Sequence, residues 1–442
     1  MQYHIIFIGG GLNYAGAIIA QKAGLKCLLV EKSLDHLGGT CLHEGCIPSK
    51  HLLFHGRLLV DAKRPVFHNS QISMDLNMLQ EEKDQILKQT TSVIRKQLEK
   101  AGVHLAQGQG FVTAPNTVEC EGKRFTGRNV VLGTGSSPYI PPGIDFDGKR
   151  IITSNEALNL RELPKRIAII GGGPVALEFA SFFAACGKGP HVFIRREQVL
   201  PGSHPLICEN VTKLLSSIGV TFHPSVKIAS ASKTEDGVRL ETNKGGFDFD
   251  ILLVATGRRP NTDAVACNDI KVGKAIDTNE HFETALPGHF AIGDCNGKLK
   301  LAHAARAQAL YVVKRILGHR LEALRLENIP RFIETLPVPY ARVGLSRREL
   351  IESRVDFSES IFRLSGITIS RTYGATDGAI ILYADKKGYL LGGELLCPHA
   401  PDIIGTIAQC LEAGLKAAAL KRVVFPHPTV SEAIGRCAMH LA

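Results

Sequence analysis

The chain has 442 residues, 44% apolar and 21% charged, with a formal charge of +10. At about 150 residues per domain this length implies roughly three cores, and the composition is that of a globular enzyme, not of a disordered chain. The positive charge is dispersed without a Lys/Arg block, which argues against a nucleic-acid tail, and no apolar stretch is long enough to span a bilayer.

Ile5-Ile6-Phe7-Ile8 reads as a buried strand, followed by the cluster Gly9-Gly10-Gly11, a small-residue helix over 15–24 and a second strand over 26–31 ending in Glu31. This is a βαβ unit. A strand so close to the first residue leaves no signal-peptide pattern, and eleven scattered cysteines do not read as a secreted disulfide framework, so a reducing cytoplasm is expected. A charged amphipathic helix is expected over 80–100, packed outside this first module. The same plan returns as a strand over 166–170, the cluster Gly171-Gly172-Gly173, a helix over 175–186 and a strand over 191–195. Each module closes on a similar phrase, Val130-Val131-Leu132-Gly133-Thr134-Gly135 and Leu252-Leu253-Val254-Ala255-Thr256-Gly257, where small residues let backbone approach a ligand. After about residue 325, strand-like runs at 379–383 and 389–392 and a helix over 402–413 suggest a third, α+β domain.

A glycine turn between strand and helix aims backbone N–H groups and a helix N-terminus at a pyrophosphate. Gly9 and Gly11 fill the first two glycine roles of such a fingerprint, and Glu31 is placed for ribose hydroxyls. The third small position is Tyr14, a departure, and a bulky ring there is expected to tilt the helix or turn outward. The second fingerprint, Gly171, Gly173 and Ala176, is intact. Its second strand ends in Arg195-Arg196 instead of an acid. Those arginines suit a 2′-phosphate, read against the alternative of solvated surface arginines.

The sharpest motif is Gly38-Gly39-Thr40-Cys41-Leu42-His43-Glu44-Gly45-Cys46-Ile47-Pro48-Ser49-Lys50. Two cysteines five apart at the start of a helix can bond to each other, and a helix N-terminus favours thiolate, so the pair can be redox-active. The spacing does not fit zinc, and no metal-ligand set is read from the chain. His427 can move protons near neutral pH, with Glu432 fixing its tautomer.

This segment closely resembles the active-site motif of the flavoprotein pyridine nucleotide-disulfide oxidoreductases. The resemblance runs over nearly the whole chain, through both fingerprints, Ala255-Thr256-Gly257-Arg258-Arg259-Pro260-Asn261, Phe290-Ala291-Ile292-Gly293-Asp294 and His427-Pro428-Thr429-Val430-Ser431-Glu432. It implies two doubly wound nucleotide-binding domains and a C-terminal α+β dimerisation domain, bounded as 1–150 for FAD, 151–256 for NAD(P), 257–325 completing the first, and 326–442. It implies FAD on Gly9, Gly11, Glu31, Gly39, Thr40, Gly135 and Asp294, the last at the ribitol chain. The nicotinamide nucleotide, NADP or NAD, falls to Gly171, Gly173, Ala176, Arg195, Arg196 and Gly257. Lys50 is implied near the flavin ring, paired with Glu178. Cys41 is the implied attacking thiol, and Cys46 the thiolate facing the flavin. His427 reaches the dithiol of the other subunit, so a homodimer with composite sites is expected.

Leu301-Ala302-His303 and the ending Ser431-Glu432-Ala433-Ile434 look most like dihydrolipoamide dehydrogenase, whereas Arg195 and Ala176 look more like the NADPH-dependent glutathione or mercuric reductases. The reading leans to a lipoamide-dehydrogenase-like enzyme with a small-molecule or protein-bound disulfide/dithiol substrate, and NADP slightly ahead of NAD. No nucleic-acid or membrane partner is expected. A degenerate, non-catalytic paralogue is the contrasting hypothesis, favoured only by Tyr14.

Overall fold

In a computed structural model, residues 2–67 and 72–441 are described. The chain divides into two compact units, residues 1–49, 77–139 and 258–326 forming one, and residues 50–76, 140–257 and 327–442 the other.

The first unit is built on a seven-stranded sheet. Its parallel part runs His104–Gln107, Cys27–Glu31, Gln2–Ile8 and Lys123–Leu132, with His289–Ala291 pairing against the end of the last. Two antiparallel strands, Thr117–Cys120 and Gly110–Ala114, extend it. Near-continuous apolar runs are what a sheet covered on both faces requires, and Ile5, Ile6 and Phe7 are fully buried. On one face lies the helix Asn13–Lys22, packed on the helix Ala302–Ile316. The helix Leu76–Ala101 contributes Leu87, Ile94 and Leu98 to the same core, so its apolar stripe covers the module as expected.

The second unit repeats the plan. Five parallel strands stand in the order Thr221–His223, His191–Phe193, Ile167–Ile170, Ile251–Val254 and Ile151–Ile152. An antiparallel three-stranded sheet, Ile228–Lys233, Val238–Thr242 and Gly245–Phe249, forms between the fourth and fifth of these in chain order; its short alternating runs are not evident in the sequence. The last segment forms a five-stranded antiparallel sheet in the order Arg331–Ile333, Tyr340–Gly344, Leu390–Leu396, Ala379–Asp385 and Phe357–Arg363, covered by helices that include Ala400–Glu412 and Glu432–Met439. The α+β expectation for this region holds.

Among the described residues, no helix is long and apolar enough to cross a membrane.

Candidate functional site

The two glycine turns are built alike. Gly9 has φ +95°, and a Cβ there would lie 2.4 Å from the Gly133 carbonyl oxygen; Gly171 has φ +135°, and its Cβ would lie 2.3 Å from that of Ala255. The closing phrases are thus part of the turns: each lays a carbonyl against the first glycine, which no side chain permits. The Gly133 N–H donates to Ile8 and the Ala255 N–H to Ile170, both strand ends, at 2.8 and 2.9 Å.

In the first turn the Gly10 N–H donates to the Glu31 carboxylate, which also accepts from the Ser33 N–H at 3.3 Å. The acid at the second strand's end therefore lies at the turn. Tyr14 does not occupy the close approach between helix and strand. It is half-buried and packs against the core. The close contacts are made by Asn13 and Gly16. Asn13 is buried, its Nδ2 donating to the Ile8 carbonyl at 3.2 Å, and its Oδ1 has no partner. A Cβ on Gly16 would touch Phe7, Ala309 and Val313, each at 3.4 Å.

The cysteine motif docks on this turn. The Gly38 N–H donates to the Gly10 carbonyl at 2.9 Å, and a Cβ on Gly39 (φ +61°) would sit 2.8 Å from Gly11 Cα. The motif is not one helix start, as the spacing suggested. Cys41 lies in a short helix, Gly39–His43, and Cys46 opens a second, Cys46–Ala62. Gly45 lies in the break between them, where a Cβ would be 2.8 Å from the Thr40 carbonyl oxygen and 3.4 Å from Cys41 Cα. Only glycine lets the chain fold back this tightly on the Cys41 segment. Cys41 is half-buried and Cys46 exposed.

Asp294 lies in the same unit and accepts from Ser136 Oγ at 2.6 Å. Arg258 grips Ser136 from the other side, Nε to Oγ at 2.8 Å and Nη2 to the carbonyl at 2.6 Å. Burial lowers the pKa of this guanidinium, opposed by the charges of Asp294, Glu44 and Cys46. Sequence reasoning found Asp294 but missed Ser136 and Arg258; the signal for both was adjacency to Gly135 and Gly257. Gly135 itself is at φ +72° with no atom within 4 Å of its Cβ position.

These features fit FAD. Gly9 and Gly39 are kept free of side chains by backbone packing, Gly11 faces Gly39, Glu31 lies at the turn, and an orphaned buried oxygen lies on Asn13.

In the second unit, the helix Pro174–Ala185 begins at the cap Gly173, and Ala176 is fully buried beneath the turn. Gly257 has φ +123° and open space around it. Arg195 and Arg196 are exposed, as is Glu197, and neither arginine has a carboxylate within ion-pair distance among the described residues. Lys50 Nζ forms an ion pair with Glu178, which also accepts from the Glu334 N–H at 2.9 Å; Lys50 Nζ lies 5.1 Å from the centre of the Phe332 ring.

His427 Nδ1 lies 3.1 Å from both carboxylate oxygens of Glu432. The histidine is 78% exposed and the carboxylate 16%. Hydrogen bonds from the Thr429 N–H and from His427 hold the Glu432 pKa below the ordinary carboxylate value. With Nδ1 donating to the acid, Nε2 carries the lone pair, the arrangement a general base needs.

Comparison with known proteins accords with this geometry. Residues 3–309 match the family model described as pyridine nucleotide-disulphide oxidoreductase, and residues 329–438 match its dimerisation domain. The chain is 33% identical to dihydrolipoamide dehydrogenase of Chaetomium thermophilum, covering 98% of this chain and 90% of that one. It is 32% identical to dihydrolipoyl dehydrogenase of Chlorobaculum tepidum, covering 99% and 96%. Among solved structures, the HOCl-induced flavoprotein disulfide reductase RclA of Escherichia coli superposes with a TM-score of 0.89 at 25% identity, over the full length of both chains. The protein belongs to the pyridine nucleotide-disulphide oxidoreductases and is an FAD- and NAD(P)-dependent enzyme that exchanges electrons with a disulfide or dithiol.

Proposed function

We propose that Cys41 and Cys46 are the redox-active pair, that the dithiol partner is dihydrolipoamide or a close analogue, and that NADPH is preferred to NADH. The observation that supports the first point is the fold-back at Gly45, the residue before Cys46, whose Cβ position lies 3.4 Å from Cys41 Cα. FAD, when bound, supplies two-electron exchange with the nicotinamide on one side and with Cys46 Sγ on the other. The protein's own residues do the rest. Reductive cleavage of the Cys41–Cys46 bond leaves a thiolate at Cys46 and a nucleophile at Cys41. Cys41 Sγ attacks one sulfur of the substrate disulfide, and His427, in its neutral form oriented by Glu432, handles the proton passing between the thiols. Cys46 then attacks Cys41 in the mixed disulfide, releasing the second substrate thiol and restoring the internal bond. Run in reverse, the same sequence oxidises a dithiol. The Glu178 carboxylate holds Lys50 in place and balances its charge.

The match to a dimerisation domain supports a homodimer, in which His427, exposed within its own chain, serves the dithiol across the interface. The lipoamide preference rests on the relatives' names and the NADPH preference on the exposed Arg195 and Arg196, which also keep open an NADPH-dependent reductase of the glutathione or mercuric type. We also propose domains at 1–150, 151–256, 257–325 and 326–442, and a cytoplasmic location. Anaerobic titration with NADH and NADPH, followed by a panel of disulfides including lipoamide, tests the reading. Faster reduction by NADPH and turnover of lipoamide are expected; reduction by NADH alone, or no turnover of any disulfide, overturns it.

A further inference from the structure

The helix that opens at Cys46 carries a feature the redox chemistry does not use. His51 and His55 stand one helical turn apart, and residues four apart on a helix share a face. Their ring centroids lie 4.7 Å apart. His55 Nδ1 lies 3.0 Å from the His51 backbone carbonyl. A carbonyl only accepts, so Nδ1 is the donor in this bond and Nε2 is the nitrogen placed to ligate. Metal-bound histidines are commonly fixed in this way, one ring nitrogen donating to a carbonyl and the other ligating. The Phe54 ring packs edge-on against His55 with centroids 5.2 Å apart and limits its rotation. Both histidines are half-buried, so less side-chain entropy remains to be lost on chelation. The adjacent cation, Lys50, is paired with Glu178, which reduces its repulsion of a second positive charge.

We propose that His51 and His55 form a bidentate site for a divalent transition-metal ion, separate from the cysteine pair. Two imidazoles select borderline ions such as Zn²⁺, Ni²⁺ or Cu²⁺ over Ca²⁺ and Mg²⁺, which prefer oxygen ligands. The pair is distinct from the thiols in chemistry: neutral imidazoles bind metal in either redox state of the enzyme, whereas cysteine sulfurs ligate only as thiolates.

Zn²⁺ is the probe, because it is redox-inert. Calorimetric titration of the FAD-loaded, oxidised protein is expected to show one Zn²⁺ site per chain, weakening in acid, where protons compete with the metal for its ligands. His51→Ala and His55→Ala should each abolish the site, and the double variant Cys41→Ser/Cys46→Ser should retain it. His55→Gln, which keeps side-chain bulk and polarity, covers the case in which alanine disturbs the helix; flavin content and circular dichroism report on folding. The proposal is overturned if the wild type binds no Zn²⁺, if binding survives loss of either histidine in a folded variant, or if it disappears with the cysteines instead.

Discussion

Gly39 and Gly135 provide a matched pair for testing how the first unit builds its cradle. Both have positive φ, +61° and +72°. An L-residue in that region costs roughly 1–2 kcal/mol. They differ in surroundings: a Cβ on Gly135 meets nothing within 4 Å, but a Cβ on Gly39 lies 2.8 Å from Gly11 Cα. Gly11 Cα is backbone in the fingerprint turn and cannot swing aside as a side chain would. Overpacking of this kind adds about 1–3 kcal/mol. Gly135→Ala should therefore lose about 1–2 kcal/mol, and Gly39→Ala about 2–5 kcal/mol. In Gly39→Ala the two loops must also separate, which should weaken FAD binding at least tenfold, tenfold being 1.4 kcal/mol. Urea unfolding of the apoprotein measures the first quantity and quenching of flavin fluorescence the second. If Gly39→Ala proves no more costly than Gly135→Ala and binds FAD normally, contact between the two loops does not shape the cradle.

Three other outcomes are expected. Two-electron reduction should produce a long-wavelength absorbance band that Cys46→Ser abolishes and Cys41→Ser retains, with disulfide turnover lost in the latter; normal turnover in both would contradict the dithiol route, and stopped-flow spectra decide it. Hydrogen bonds from the Thr429 N–H and His427 depress the Glu432 pKa, so its stabilising contribution is fully present above the unfolded value of about 4.3 and is lost as pH falls through the lower folded value; the stability gap between wild type and Glu432→Gln should narrow as pH falls below the unfolded value, and a gap that stays constant into acid would refute this. Arg195→Glu should weaken or reverse a preference for NADPH, because a hydrogen bond to a charged group contributes about 1.5–3 kcal/mol; kcat/KM for both nucleotides checks it, and a wild type that prefers NADH, with no change in the variant, counts against the assignment.

The parts of this molecule that were legible in the sequence are those in which local pattern and function coincide. A buried strand, a glycine cluster and a small-residue helix need only neighbouring residues to be recognised, and they appear twice. The helical breaks, caps and long-range partners were less legible. The motif from Gly38 to Lys50 reads as one helical start because its residues tolerate helix; the break at Gly45 follows from packing against Thr40 and Cys41. Tyr14 looked disruptive because the fingerprint assigns its position to the helix–strand contact, whereas in the fold Asn13 and Gly16 make that contact. Ser136 and Arg258 meet Asp294 only after three distant segments assemble, and no periodicity announces that. The antiparallel insertion over 228–249 was missed because its short strands alternate only a few large apolar residues with polar ones.

Cys41 and Cys46 are expected to exchange electrons with the nicotinamide nucleotide. Differential alkylation with mass spectrometry tests it most directly. The purified holoenzyme is labelled before and after one equivalent of NADPH under argon. Both cysteines should be refractory beforehand, and both should be labelled afterwards, with the deeply buried Cys295, Cys397 and Cys437 unchanged. Identical labelling of Cys41 and Cys46 before and after reduction of the flavin would contradict the account.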